Sequence, residues 1–387
     1  MKLFDNTQVA FSLKSDSDLE RAYFLFKMIS SQPLVRIGTA ATNFALKANL
    51  PVEGLIRSTV FDHFCGGINE EDCLSVIESL YTTGVSSVLD YSVEGKETEE
   101  QFDSAMNKVL KIIGFCKEKE AMPIVVFKPT GFGRFALYEK QSANEVLSEE
   151  EKDEWDRVVA RFDKVCLVAK QHDVEVLIDA EESWMQDAAD MLVENMMRRY
   201  NKEKPVVYNT LQCYRWDRLD YLKNLHKRAK EEGFFVGLKI VRGAYMEKER
   251  LRAEENGYVS PICESKQATD ECFNDCMIYI LRNIEDMSIF IGSHNEQSSY
   301  LAMDLMEELG IDKKDNRVWF GQLYGMSDHI SFNLSKEGYN VAKYIPFGPV
   351  KDVMPYLIRR AEENTSVAGQ TNRELELIKK ERQRRKV

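Results

Sequence analysis

The chain has 387 residues, of which 44% are hydrophobic, and a formal net charge of −12 with a pI near 5.2. That length supports one large core or a few ordinary domains. The acidic balance argues against a nucleic-acid binder driven by phosphate neutralisation.

The charge is not uniform. Residues 372–387 carry seven Lys/Arg against three Glu, so this basic C-terminal tail is +4 and the remainder is −16. Eight cysteines occur without C-x-x-C spacing and without histidines at zinc-finger spacing. They are expected to be free thiols of a reducing cytosol, and no metal site is predicted. The opening "MKLFDNTQVAFSLKSDSDLE" has no apolar signal core. No run approaches the roughly 18 apolar residues of a membrane span. A cytoplasmic chain, at most peripherally associated with the inner membrane, is the expectation.

In chain order, residues 1–85 read as a helical segment. "SDSDLERAYFLFKMIS" sets capping residues before apolar positions at helical spacing, and "TNFALKANLP" and "EDCLSVIESLYTTG" continue the pattern. No strand signal precedes Ser86. From there, short apolar runs alternate with long charged segments of helical period. The runs are "SSVLDYS" (86–92), "PIVVFK" (123–128), "VEVLIDA" (174–180), "VVYNTLQCY" (206–214), "FVGLKIVRGAY" (235–245), "SIFIGSH" (288–294), "RVWFGQLY" (317–324) and "NVAKYIPFG" (340–348). Eight strand–helix units in about 280 residues predict an α/β fold, a (β/α)8 TIM-type barrel over 86–371 with an N-terminal helical extension. An open doubly wound sheet is the alternative.

Chemistry in such a barrel sits at the C-terminal strand ends. Those ends carry Asp90 and Glu94, Lys128, Asp179 with Glu181 and Glu182, and Gln212. Further on they carry Lys239, Arg242 and Tyr245, then His294 with Asn295, Gln322 and Tyr344. Lys128, Asp179, Lys239 and His294 follow directly on apolar runs, which solvation of loop ends does not require, so the pattern points to a ligand site. "GFGRFA" (131–136) matches the dinucleotide fingerprint, but "NEVLSEEEKDEWD" follows it where a second strand should come. A flexible loop over the barrel mouth is expected instead. Hydrolase elbow, zincin and P-loop motifs are absent from the sequence. Near the end, "YLIRRAEEN" sets Arg359 beside Arg360. Adjacent helix positions point about 100° apart, so the two serve one partner only by approaching it from two directions.

Four stretches, "GLKIVRGAYMEKERLRAEENGY", "GSHNEQS", "FGQLYGMSDHISF" and "YIPFGPVKDVMPYLIRRAEENTSV", occur in this order. Together they resemble proline dehydrogenase, in its stand-alone, mitochondrial-type, FAD-dependent form, from about Ser86 to Ala368. The resemblance implies FAD at the strand ends and oxidation of L-proline to Δ1-pyrroline-5-carboxylate by hydride transfer to flavin N5. Electrons would pass to a membrane quinone, in the first step of proline catabolism to glutamate.

The resemblance also implies residue roles. Arg359 and Arg360 would grip the proline carboxylate, Tyr344 would pack on its ring, and Leu323, Lys128 and Tyr245 would complete the pocket. Asp179 and Lys239 would be catalytic, with Lys239 supplying positive charge near N5. Ala180, Gln212, Val241, Arg242, Gly243, Ala244, Thr269, His294 and Asn295 would contact FAD, with Ser265 as the alternative to Thr269. Glu363 would steady the arginine pair, and Glu94 is a further ion-pair candidate. The basic tail would contact an anionic membrane surface where the quinone resides. A tyrosine at 344 leaves little room for a 4-hydroxyl and favours proline. The alternative is a hydroxyproline dehydrogenase or another flavin barrel oxidising a cyclic amine.

Overall fold

The structure, a computed structural model, describes residues 2–31, 33–35, 37–40, 53–91, 95–366 and 368–386, and among these leaves out the side chains of 53, 55, 58, 361–366 and 368–371. The segment 42–51, expected to be helical, lies outside the described residues.

Helices begin where the sequence supplies capping groups. Ser15 and Asp18 form a capping box at the start of the helix Asp16–Ile29, whose Leu19, Ala22, Phe26 and Ile29 are buried. Ser148 and Glu151 do the same for the helix Glu149–His172, which ends on Asp173 in the left-handed region. Eight strands follow the expected runs: β1 (Val85–Tyr91), β2 (Ile124–Phe127), β3 (Glu175–Ile178) and β4 (Val207–Gln212), then β5 (Val236–Val241), β6 (Met287–Gly292), β7 (Val318–Leu323) and β8 (Val341–Phe347). Their order in the sheet is β1-β8-β7-β6-β5-β4-β3-β2. The last strand pairs in parallel with the first, from Val85 opposite Val341 to Tyr91 opposite Phe347. In an open doubly wound sheet the first strand sits in the middle and no such return occurs. The fold is therefore a (β/α)8 TIM-type barrel.

The chain forms two compact units, Met1–Glu94 with Gly321–Val387, and Gly95–Phe320. In the first, Leu377 and Ile378 of the helix Ala368–Arg385 pack against Phe11, Leu19, Ala22 and Phe26. Residues 372–387 thus contribute a packed helix. Its four arginines are engaged: Arg373 pairs with Asp5 at 2.6 Å, Arg385 with Glu381 at 2.7 Å and Asp16 at 3.0 Å, Arg384 with Glu381 at 2.8 Å, and Arg382 with Glu20. A second cluster joins Ile29, Phe61 and Phe64 to Val353, Met354 and Leu357.

In the other unit the "GFGRFA" segment differs from the flexible loop expected. A 3-10 turn, Pro129–Gly131, leads to the helix Phe135–Ser142. Phe132 is buried and stacks on Phe127 at 4.4 Å, with Phe162 edge-on at 5.1 Å from Phe127. A Cβ on Gly133 would stand 2.4 Å from Val158. Aromatic burial makes this a fixed turn, and the next element is a helix, so no dinucleotide-binding βαβ unit forms.

The buried lysines inside the strands find partners. On β8, Lys343 is fully buried, pairs with Asp328 at 2.9 Å and donates to the Met326 carbonyl at 2.5 Å. Lys14 reaches the other oxygen of Asp328 at 3.3 Å. Burial pushes the Asp328 carboxyl up, but Lys343 and Lys14 more than offset this and hold it well below the usual range. A depressed carboxyl pKa contributes stability above the unfolded-state value, so this contribution fades as pH falls below about 4. Asp328→Asn leaves the Lys343 ammonium buried without its counter-charge. The expected loss is about 3–5 kcal/mol at neutral pH, measured as a lowered urea midpoint. An unchanged midpoint would remove the pair from the list of stabilising contacts.

Candidate active site

The strand ends of the unit Gly95–Phe320 assemble around Lys239. This residue, on β5, is 5% exposed, and its ammonium forms an ion pair with Asp179, the residue after β3. On β4, between them, Thr210 stands opposite Lys239 in register and donates from its hydroxyl to the Ile178 carbonyl at 2.7 Å. Thr210 therefore turns its hydroxyl proton away from the pair, and Asp179 holds the ammonium from the β3 side. At the end of β4, buried Gln212 donates from Nε2 to the Glu181 carbonyl at 2.7 Å and accepts from the Ala244 N–H at 3.2 Å. One amide thereby ties the backbone after Ala180 to the backbone after Arg242.

Arg242, just past Val241, is held on three sides. Its Nε donates to Asp270 at 2.6 Å, Nη1 to Ser293 at 2.9 Å and Nη2 to Ser298 at 3.0 Å, while the guanidinium lies 4.4 Å over the Phe273 ring. Gly243 has φ +136°, and a Cβ there would come within 2.6 Å of the buried Tyr214 ring. Only glycine fits that turn. The backbone of Gly243 and Ala244 is exposed.

After β6, Asn295 caps the helix Glu296–Glu308, accepting from the Ser298 N–H at 3.0 Å, and its own N–H donates to Ser293 Oγ at 3.1 Å. His294, before it, is half-buried. Thr269 is buried and donates to the Ser265 carbonyl at 3.3 Å, while Ser265 accepts from the Ala268 N–H at 3.0 Å. Both hydroxyls thus serve the start of the helix Lys266–Arg282. Guanidinium, ammonium, imidazole, carboxamide and bare backbone at a strand end form a donor set that fits an anionic dinucleotide cofactor.

Lys128 follows β2, and Tyr245 opens the helix Met246–Asn256; both are half-buried. Near Lys128 lies a group that the sequence reading placed at a strand end without assigning it a role. Glu181 is 6% exposed and accepts from Thr130 through its N–H at 3.0 Å and its hydroxyl at 2.7 Å. Burial pushes the Glu181 carboxyl up to about 7, against the pull of Lys128 and the Thr130 hydrogen bonds. In "IDAEESW" three acids stand close together, and nothing in their spacing tells Asp179 from Glu181. Asp270, Ser293 and Ser298 were missed as well, because no local motif links them to Arg242.

In the other unit, Tyr344 on β8 is 7% exposed, and its carbonyl accepts from the Tyr324 N–H at 2.8 Å. Leu323, closing β7, packs on the cluster containing Met354 and Leu357. Arg359 and Arg360 are half-buried on the helix Val350–Ser366, and the Arg360 guanidinium lies 5.4 Å over the Tyr356 ring one turn earlier. Glu94 lies outside the described residues, and so does the side chain of Glu363.

A (β/α)8 sheet with fixed polar groups at its strand ends defines a barrel enzyme. The sequence model of the proline dehydrogenase family matches residues 73–373. A carbapenem antibiotics biosynthesis protein, CarD, of Pectobacterium carotovorum is 38% identical over 94% of both chains. Mitochondrial proline dehydrogenase 1 of Arabidopsis thaliana is 32% identical over 97% of this chain and 85% of its own length. The human mitochondrial proline dehydrogenase 1 is 42% identical over 60% of this chain and 39% of its own. Proline utilization A (PutA) from Bdellovibrio bacteriovorus superposes with a TM-score of 0.71 at 21% identity, over 92% of this chain and 38% of that one, a likeness of fold. The chain belongs to the proline dehydrogenase family, whose reaction is the oxidation of proline in proline catabolism.

The Glu181 carboxyl offers a check on the site's electrostatics. A raised folded-state pKa favours the protonated form, so the contribution is complete below the unfolded value of about 4.5 and is lost as pH rises through about 7. Glu181→Gln should therefore gain thermal stability relative to the unmodified protein as pH goes from 5 to 8. A difference in melting temperature that stays constant across that range would contradict the assignment.

Proposed function

We propose that the protein oxidises L-proline to Δ1-pyrroline-5-carboxylate with bound FAD and delivers the electrons to a quinone. The observation that carries this reading is the buried Lys239–Asp179 pair, a fixed cation at the strand ends of a member of this family. FAD, when bound, supplies the two-electron chemistry, accepting a hydride at N5 from the ring carbon beside the proline nitrogen. Arg242, Gln212, His294, Asn295 and the exposed backbone of Gly243 and Ala244 would hold it, with Ala180, Val241 and Thr269 beside them. Lys239 then places positive charge where negative charge develops, and Asp179 keeps the ammonium oriented.

Proline offers a carboxylate, an amine and an apolar ring. Arg359 and Arg360 take the carboxylate, each from its own direction. Tyr344 and Leu323 supply flat apolar surface for the ring. Cations around the bound amine lower its pKa and favour the neutral form whose lone pair assists oxidation.

The helix bearing residues 372–387 is not the membrane contact in this reading, because its arginines are engaged by Asp5, Asp16, Glu20 and Glu381. Among the described residues no helix is long and apolar enough to cross a membrane. The nearly end-to-end match to the carbapenem biosynthesis protein favours a second reading in which the same oxidation feeds a biosynthetic route. Deleting the gene in its host and testing growth on proline separates the two: lost growth assigns catabolism.

Purified protein is expected to be yellow and to reduce a quinone analogue when given L-proline. A folded, colourless product without flavin would refute the proposal. Arg359→Met and Arg360→Met should each raise KM for proline roughly 10- to 150-fold, the loss of one charge-assisted hydrogen bond, with flavin content unchanged. Higher kcat/KM with 4-hydroxyproline than with proline would assign the enzyme to the hydroxylated substrate instead.

A further inference from the structure

The N-terminal part of the chain carries an apolar surface that the core does not use. On the helix Asp16–Ile29, Leu19, Ala22, Phe26 and Ile29 are buried, yet Phe24 is 65% and Met28 41% exposed. Those two stand four positions apart, so they share the side of the helix turned away from the buried stripe. Leu34 and Ile37, in the helical residues 33–35 and 37–40, are 46% and 66% exposed. Four large apolar side chains thus meet solvent between positions 24 and 37. Single apolar residues scattered over a surface need no explanation, but a dense group beside charged ones marks a contact surface.

The same stretch has a distinct charge. Positions 21–52 hold Arg21, Lys27, Arg36 and Lys47 and not one Asp or Glu, which makes them +4 in a chain of −12. Arg21 and Lys27 flank Phe24 three positions to either side, and both are exposed. Arg21 pairs with Asp18 one turn earlier. Lys27 meets no carboxylate among the described residues and leans over the Tyr23 ring at 5.9 Å. A helix that lies on an anionic lipid surface has this make-up: its apolar side chains enter the headgroup boundary, and neighbouring cations pair with the lipid charges. The charge also disfavours a two-fold pairing of this face with itself, which would set cation against cation.

We propose that the surface bearing Phe24, Met28, Leu34 and Ile37 docks the protein on an anionic bilayer. An anionic surface repels the acidic remainder of the chain and attracts this stretch, so charge selects which side of the molecule meets the lipid. The apolar side chains then hold the contact by leaving water. The consequence for catalysis rests on the reading under Proposed function: an enzyme docked in this way delivers its electrons to a quinone held in the same bilayer.

Full-length protein is mixed with vesicles of phosphatidylcholine alone, or of phosphatidylcholine with phosphatidylglycerol, and the bound fraction is read by flotation. Binding is expected to the vesicles with anionic lipid, to weaken as salt is raised, and to be far weaker on phosphatidylcholine alone. Phe24→Ser should lower the partition coefficient roughly 10-fold or more, the loss of one buried aromatic side chain, and Lys27→Gln should lower it roughly 5-fold. Both side chains are exposed, so melting temperature and proline turnover with a water-soluble quinone analogue should match the unmodified protein. Failure to bind the anionic vesicles, or variants that bind as the unmodified protein does, would overturn the proposal. So would self-association without lipid that Phe24→Ser abolishes, which would assign the surface to a second copy of the chain. Flotation is read without proline, so failure here is distinguishable from failure of the proline reading.

Discussion

The pairing of β8 with β1 is the constraint on which the rest hangs. Seven residues of each strand run in register, from Val85 opposite Val341 to Tyr91 opposite Phe347. A parallel pair cannot be joined by a tight turn, so every strand must be followed by a long return segment. That rule sends all the strand C-termini to one side and makes each loop there a place for a polar group. It also buries Lys343 completely, because β8 has neighbours on both edges, and the buried lysine in turn requires Asp328. The lysines inside the sheet, Lys239 and Lys343, are each answered by a carboxylate partner.

Much of the fold was legible because parallel strands, covered on both faces, must be continuous apolar runs. Such runs announce themselves, and the eight observed strands fall on the eight read from sequence. The candidate site residues were picked out for the opposite reason: Lys239, Asp179 and Lys128 interrupt or end those runs at a cost in solvation that a purely structural strand does not carry. What could not be read is who meets whom. Lys239 and Asp179 are 60 residues apart, and the groups that seat Arg242 come from two different later helices and a strand end. The glycine-rich "GFGRFA" was misjudged as a flexible loop because glycine content says nothing of Phe132, which finds Phe127 and Phe162 only in the folded chain. Thr269 and Ser265 were read as alternative cofactor contacts, and the helix-start hydrogen bonds that both hydroxyl groups make are not distinguished by spacing alone.

Charge counting along the chain showed a similar limit. The +4 of residues 372–387 is a true property of the sequence and a poor guide to the surface, since Asp5, Asp16 and Glu20 supply its counter-charges from the far end. At the strand ends the reverse holds. Lys239 is anchored there by Asp179, and Arg242 by Asp270 and the Phe273 ring, while on a later helix Arg360 lies over Tyr356. A fixed cation loses little on meeting a ligand, whereas a solvated one must first be ordered.

The helix Ala368–Arg385 lying on the helix Asp16–Ile29 has a consequence for the order of events in synthesis. Leu19, Ala22 and Phe26 are made long before Leu377 and Ile378, the side chains that cover them. At roughly 5–20 residues per second, that apolar stripe waits tens of seconds for its cover. A contact of such sequence separation forms late and slows folding. During that interval the nascent chain carries a sticky amphipathic helix, a natural point of engagement for a chaperone and a vulnerable point for aggregation.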